Sequence, residues 1–375
     1  MLLLDNDCVA RLLTMRDCID AQARAFAGLP AGASIGRPRF DTYVPTARDD
    51  GYYRFGSVDG ATDGILAVRL KSDVMVWPRD QDGGAGQRGS HRAGSEQKYC
   101  IEPGTYCGLV MLFSTENGAP LAIINDGHLQ HMRVGGAAGL GTRLLAREDA
   151  HTIGMIGSGG MAETFLDALC CVREIRRVRV YSRREENRRR FARAMADRLQ
   201  IDIEAVDSAR DAVRGADIVA TCTDSMSPVL DAAWLEPGMH VVALTPREFD
   251  ASVAQRFDVA IAQGRERLPL DESERFSQRI SGSPNAFVGG STDERRRLPV
   301  SRGERVDTSG WPIYTDVITG RTPGRTSAEQ ITFYYTVGNW GVQFAAVGGH
   351  VYREAVRQGV GMRLPREWFI QNIRN

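Results

Sequence analysis

One short stretch constrains this chain more than any other. Ile153 to Ile156 is a mostly apolar run, followed at once by Gly157-Ser158-Gly159-Gly160-Met161-Ala162. Phe165, Leu166, Leu169 and Val172 then recur with helical spacing, and Val178-Arg179-Val180-Tyr181 reads as a second strand. Strand, glycine turn, helix and strand within about thirty residues is the pattern of a dinucleotide-binding βαβ unit. Its small residues have separable roles. Gly157 permits a tight turn off the strand, Gly159 lets backbone N–H groups approach a pyrophosphate, and Ala162 lets the helix lie close on the sheet. The helix N-terminus adds unpaired N–H donors and a partial positive charge.

The alternation continues beyond Tyr181. A basic helix is expected from about Arg184 to Leu199, strands at 203–206 and 217–221 with a helix near 208–214 between them, and further strands at 241–244 and 259–261. Strands separated by helices predict a doubly wound parallel sheet that binds ligands at the carboxyl ends of its strands. Upstream, Leu2-Leu3-Leu4 precedes one helix whose buried face carries Val9, Leu12, Cys18, Ile19 and Phe26. Strand patterns follow from Ser34 to Trp77, and Ile65 to Lys71 is the strongest of them, with Lys71 closing it. Two more strands, 108–113 and 121–124, flank the hairpin turn Glu116-Asn117-Gly118. Met132 to Arg147 reads as a helix rich in Gly and Ala, suited to close backbone packing. Residues 79–98 and 264–310 are polar and rich in breakers; the first, with His91, reads as a solvated loop and the second as a long excursion. Ile331, Tyr334, Tyr335, Trp340 and Phe344 predict a C-terminal helical segment that returns to the N-terminal region.

At 375 residues the chain has length for about two domains. Its 47 basic and 47 acidic residues balance, so the total charge points to neither nucleic acid nor an anionic membrane as partner. No run is apolar enough to span a bilayer, and Met1 to Asp7 lacks a signal-peptide pattern. The seven cysteines are scattered without a C-x-x-C pair, which predicts reduced thiols in a cytoplasmic protein and no metal site.

Taken together, Met132-Arg133 with its Gly/Ala helix, the IGSGGMA turn, VRVYSRR, Thr221-Cys222-Thr223, Leu235 to His240 and the GRTSAEQITFYYTVG segment resemble the ornithine cyclodeaminase/mu-crystallin family over most of the chain. The resemblance implies an α/β fold in which a Rossmann domain is inserted into a discontinuous α+β substrate and dimerisation domain. The expected boundaries are 1–132 and 325–375 for the discontinuous domain and 133–324 for the insert. It also implies a homodimer and a small carboxylate-bearing substrate. By position, Arg133, Lys71 and Arg39 (or Arg37) match the residues that hold the substrate carboxylate. Lys71 and Asp126 are the candidates for proton transfer, followed by His128; neither His128 nor His131 shows a partner in the sequence. Cofactor contacts fall to Arg133, Gly157, Ser158, Gly159, Gly160, Met161, Ser182, Arg183, Arg184, Thr221 and Thr223. The chain departs from the family after the fifth strand. Ala243 to Asp250 is shorter and has no counterpart to the cyclodeaminase aspartate.

Cofactor choice follows from the end of the second strand. A site for NAD places an acid there, whereas this chain has Ser182-Arg183-Arg184, which suits a 2′-phosphate. NADPH is therefore expected over NADH, with NAD possible. The leading expectation is an NAD(P)H-dependent reductase of the C=N bond of an imine derived from an amino or keto acid. The alternatives are ornithine cyclodeamination, amino-acid dehydrogenation, and a catalytically silent dinucleotide-binding protein.

Overall fold

The computed structural model describes residues 1–76, 97–225, 227–245, 247–266, 268, 285–296, 298 and 306–373. His91 and most of the stretch read as a loop over 79–98 lie outside these residues. The described residues build two sheets. The first is mixed and ten-stranded, with the spatial order Asn285–Val288, Ser34–Pro45, Gly51–Thr62, Ile65–Val76, Cys107–Ser114, Pro120–Asn125, Leu2–Leu4 and Met362–Arg363; Gln97–Cys100 pairs with the end of Ile65–Val76, and Glu102–Pro103 with it in turn. The second has seven strands, all parallel, in the order Asp202–Ala205, Arg177–Tyr181, Thr152–Ile156, Ile218–Thr221, His240–Ala243, Thr332–Tyr335 and Val259–Ala262. Its strand order reverses between Thr152–Ile156 and Ile218–Thr221, and the glycine turn leaves the sheet at that switch point.

Four expectations are corrected. Residues 332–335 are a strand, not a helix: Thr332-Phe333-Tyr334-Tyr335 is buried throughout and lies between two parallel neighbours. A strand covered on both faces shows no alternation, so its apolar residues mimic helical spacing. The return to the first sheet therefore begins with the helix Trp340–Gln358 rather than at 325. Second, the excursion over 264–310 contains Asn285–Val288, a strand parallel to Ser34–Pro45 whose Asn285 and Ala286 are buried. Third, the strand carrying Lys71 continues to Val76. Fourth, the N-terminal helix is two, Asn6–Leu12 and Met15–Gly28, because the Thr14 hydroxyl caps a new start by accepting from Asp17 N–H.

Helix Trp340–Gln358 and helix Met15–Gly28 pack on the first sheet and share one core with it. Helix Asp126–Leu145 lies between the two sheets and is buried along most of its length. Its glycines make that position possible. A methyl group at Gly135 would overlap the Thr164 carbonyl, and one at Gly141 would overlap the Tyr334 ring. Among the described residues, no helix is long and apolar enough to cross a membrane.

The end of that helix is tied to the parallel sheet through a buried histidine. Thr332 Oγ1 donates to the Leu145 carbonyl, so His240 Nδ1, 2.9 Å from the same hydroxyl, is the donor. His240 Nε2 is then unprotonated, buried and without a hydrogen-bond partner among the described residues. Burial, then Arg325 and Arg173, push the imidazole down to about 3. The unfolded chain therefore binds more protons than the fold between about pH 6.5 and 3, and stability falls as pH drops through that window. His240→Asn, which keeps a donor near Nδ1 and cannot titrate, is expected to flatten the decline of the thermal midpoint between pH 7 and pH 5.

Candidate active site

The glycine turn is built as its residues dictate. Gly157 has φ of 117° and donates its N–H to the Tyr181 carbonyl at 2.8 Å. Any side chain there would meet the Cys222 backbone. Gly159 is the N-cap of helix Gly160–Val172; among the described residues, no side chain caps this helix and nothing lies within 4 Å of where a Gly159 methyl would be. A cradle with free N–H donors and open space fits a dinucleotide pyrophosphate. Ser158 Oγ donates to Ser182 Oγ at 2.8 Å, which fixes Ser182 beside the turn with exposed Arg183 and Arg184 following it. Thr221 ends its strand fully buried. Thr223 is held through its N–H (2.6 Å) and its hydroxyl (2.9 Å) to Glu248, which also accepts from Thr245 N–H. Glu248 is buried, and its burial raises the carboxyl above the ordinary range against these donors.

A second group of polar residues lines the helix-covered face of the first sheet. Arg69, Lys71 and Asp73 alternate along Ile65–Val76, and all three are buried. In the ladder, Lys71 lies opposite Gly56 on one side and Gly108 on the other. The two glycines leave room for carboxylates: a methyl at Gly56 would overlap Asp41 Oδ1, and one at Gly108 would overlap Asp126 Oδ1. Lys71 Nζ is 3.0 Å from Asp73 Oδ2 and 4.6 Å from the Tyr106 ring centroid. Asp73 is gripped on both oxygens by Arg54, at 2.9 and 2.6 Å. Burial first, then Arg54 and Lys98, hold the Lys71 ammonium well below its usual range, with Asp73 opposing. A lysine so placed gives up its proton more readily than an exposed one.

Asp126, at the start of helix Asp126–Leu145, receives a 2.6 Å bond from Arg69 Nε. Its other oxygen and the Tyr106 hydroxyl are buried without a hydrogen-bond partner among the described residues. Arg39 forks onto Asp41 at 3.0 and 2.8 Å, and its backbone N–H donates to buried Glu266 at 3.0 Å. Burial pushes the Glu266 carboxyl up to about 7 against those backbone donors. Arg133 is buried, with its guanidinium carbon 5.1 Å from the Phe344 ring centroid. Its bonds run to Gln130 Oε1 (3.1 and 2.9 Å) and Gln343 Oε1 (3.1 Å). Burial and then Arg69 push it down to about 9, with Asp126 opposing.

Arg39, Asp126 and Arg133 thus share one electrostatic neighbourhood, and Tyr106 links it to Lys71. Arg37, the alternative to Arg39, turns outward onto Asp59 and is half-exposed. His131 lies against Gly160 of the glycine turn, while the His128 backbone N–H is taken by Asn6. Burial lowers both imidazoles below their usual value. Sequence reasoning missed Arg54, Arg69, Asp73, Tyr106, Gln343, Glu248 and Glu266. Of these only Arg69 and Asp73 carried a signal, because with Lys71 they break the apolar alternation of one strand at period two.

The family model described as ornithine cyclodeaminase/mu-crystallin matches residues 95–358. A Δ1-pyrroline-2-carboxylate reductase of Bacillus cereus is 30% identical over 260 residues, 69% of this chain and 74% of that protein. The structure of the Thermococcus litoralis Δ1-pyrroline-2-carboxylate reductase, in complex with NADH and L-proline, superposes with a TM-score of 0.73 at 24% identity, covering 97% of this chain and all of that one. An archaeal alanine dehydrogenase dimer with bound NAD superposes with a TM-score of 0.70 at 22% identity, covering 97% of this chain and 99% of that one. The chain belongs to the ornithine cyclodeaminase/mu-crystallin family.

Proposed function

We propose that this chain is an NADPH-dependent reductase acting on the C=N bond of an imine derived from an α-amino or α-keto acid. Arg133 carries the reading. It is a buried guanidinium with neutral partners, two residues along the helix from the histidine that lies against the glycine turn. A fork of that kind, beside Arg39, suits a substrate carboxylate. The reductase from Bacillus cereus supports the same substrate class.

Bound nicotinamide dinucleotide supplies the hydride. Arg133 and Arg39 hold the carboxylate, and such fixed geometry accounts for much of the rate. Lys71, steadied by Asp73 and Tyr106, gives a proton to the nitrogen as the C=N electron pair collapses onto it. Asp126, held by Arg69, stands beside the same region as an acceptor. Ser182 and Arg183 favour the phosphorylated cofactor, and Thr221 and Thr223 shape the neighbouring strand end.

The homodimer has a physical candidate surface. Opposite the cleft, Phe55, Val68, Leu70, Leu109, Met111 and Ile123 share a sheet face and are only partly buried, and no described helix covers them. An apolar face of this extent is an association surface. Met111→Glu is expected to shift the protein from dimer to monomer in sedimentation velocity.

Absorbance of NADPH across a panel of cyclic imines and keto acid–amine mixtures tests the activity. Oxidation with at least one imino acid is expected; cofactor binding without turnover on the whole panel would sink the reading, and turnover of L-alanine or L-ornithine alone would reassign it. Lys71→Met should lower kcat/KM by about 10² to 10⁴. Since the donor must be protonated, reduction by the wild type should decline as pH rises through the depressed Lys71 pKa, well before the ordinary lysine range. For the cofactor, NADPH should bind more tightly than NADH, and Arg183→Ala should cost NADPH roughly tenfold in Kd while leaving NADH unchanged.

A further inference from the structure

The cations of the cleft are not treated alike. Arg39 faces Asp41, Arg54 and Lys71 share Asp73, and Arg69 holds Asp126. Among the described residues, no carboxylate lies within ion-pair distance of Arg133, whose bonds go to glutamine oxygens. One of these glutamines belongs to a closed ring. Gln343 Oε1 accepts from Arg133 Nη1 at 3.1 Å, Gln343 Nε2 donates to Gln22 Oε1 at 2.6 Å, and Gln22 Nε2 donates to the Arg133 carbonyl at 3.0 Å. Gln22 and Gln343 are fully buried, so losing one of these bonds strands a polar group away from bulk solvent. The ring joins three helices, Met15–Gly28, Asp126–Leu145 and Trp340–Gln358.

We propose that Gln343 is a positioning residue that aims the Arg133 guanidinium without bringing a carboxylate into contact with it, so that the substrate's carboxylate is the anion that completes the site. This rests on the functional reading above. The chemistry requires an amide at 343. Its oxygen accepts from Arg133 without bringing a charge, and its nitrogen donates to Gln22, which a carboxylate cannot do. A glutamate there would pair with Arg133 as Asp126 pairs with Arg69, and the substrate carboxylate would have to compete with it.

The test uses the full chain saturated with NADP+, titrated calorimetrically with L-proline, L-pipecolate and L-alanine, and compares the wild type with Gln343→Glu and Gln343→Met. Gln343→Glu should bind the carboxylates about 10- to 100-fold more weakly and raise KM more than it lowers kcat. Gln343→Met, which frees the guanidinium but adds no charge, should lose only about threefold to tenfold. Yet the thermal midpoint of Gln343→Glu should be no lower than that of Gln343→Met, an order that a merely structural glutamine would not produce. Equal affinity in wild type and Gln343→Glu, or losses in both variants that track lost stability, would overturn the inference and leave the functional reading standing. A wild type that binds NADP+ but none of the three amino acids would overturn the functional reading and this inference with it.

Discussion

The architecture depends on how closely one helix can approach its neighbours. Asp126–Leu145 lies between a mixed sheet and a parallel one, and it fits because Gly135 meets the Thr164 backbone and Gly141 meets the Tyr334 ring without intervening side chains. Its intrinsic helicity is weakened by those glycines. Packing on both sides offsets the loss, because such burial is the main source of helix stability in a folded protein. The same helix then delivers Asp126, His131 and Arg133 from its first two turns to the place where the two sheets meet. One helix therefore reaches both the glycine turn, through His131, and the buried charges of the first sheet, through Asp126.

Electrostatics on the first sheet follow from a similar use of missing side chains. Gly56 and Gly108 stand on either side of Lys71 in the ladder, and Asp41 and Asp126 fill the space they leave. Buried charges are tolerable when paired and hydrogen-bonded, and here aspartates serve Arg39, Arg54, Arg69 and Lys71 in that way. Arg133 breaks the rule within the same cleft. An isolated departure from a rule observed by all its neighbours marks a functional position more sharply than any single perturbed group.

Much of this was legible in the sequence where the cause is local. The glycine turn, the hairpin at Glu116-Asn117-Gly118 and the parallel strands up to Val259–Ala262 are set by nearby residues and emerged as expected. Arg39, Lys71 and Arg133 came from family resemblance; Arg39 and Arg133 are electrostatic neighbours, and Tyr106 stands between Arg133 and Lys71. Other features were hidden because they depend on distant pairings. Thr332–Tyr335 looked helical because full burial on both faces removes the alternation that identifies a strand. Gln22 and Gln343 are 321 positions apart and resemble ordinary polar positions on amphipathic helices until the fold closes a ring between them. Arg54 and Asp73 meet only through strand register.

The placement of helix Trp340–Gln358 has a consequence for synthesis. It covers strands laid down between residues 34 and 76, so the apolar inner face of those strands waits for nearly the whole chain to leave the ribosome. The parallel sheet needs nothing later than Tyr335 and can close first. At roughly 5–20 residues per second, the wait lasts on the order of tens of seconds. During that time the inner face of the N-terminal strands lacks the helix that covers it, and the surroundings of Arg69 and Lys71 are completed only after the parallel sheet.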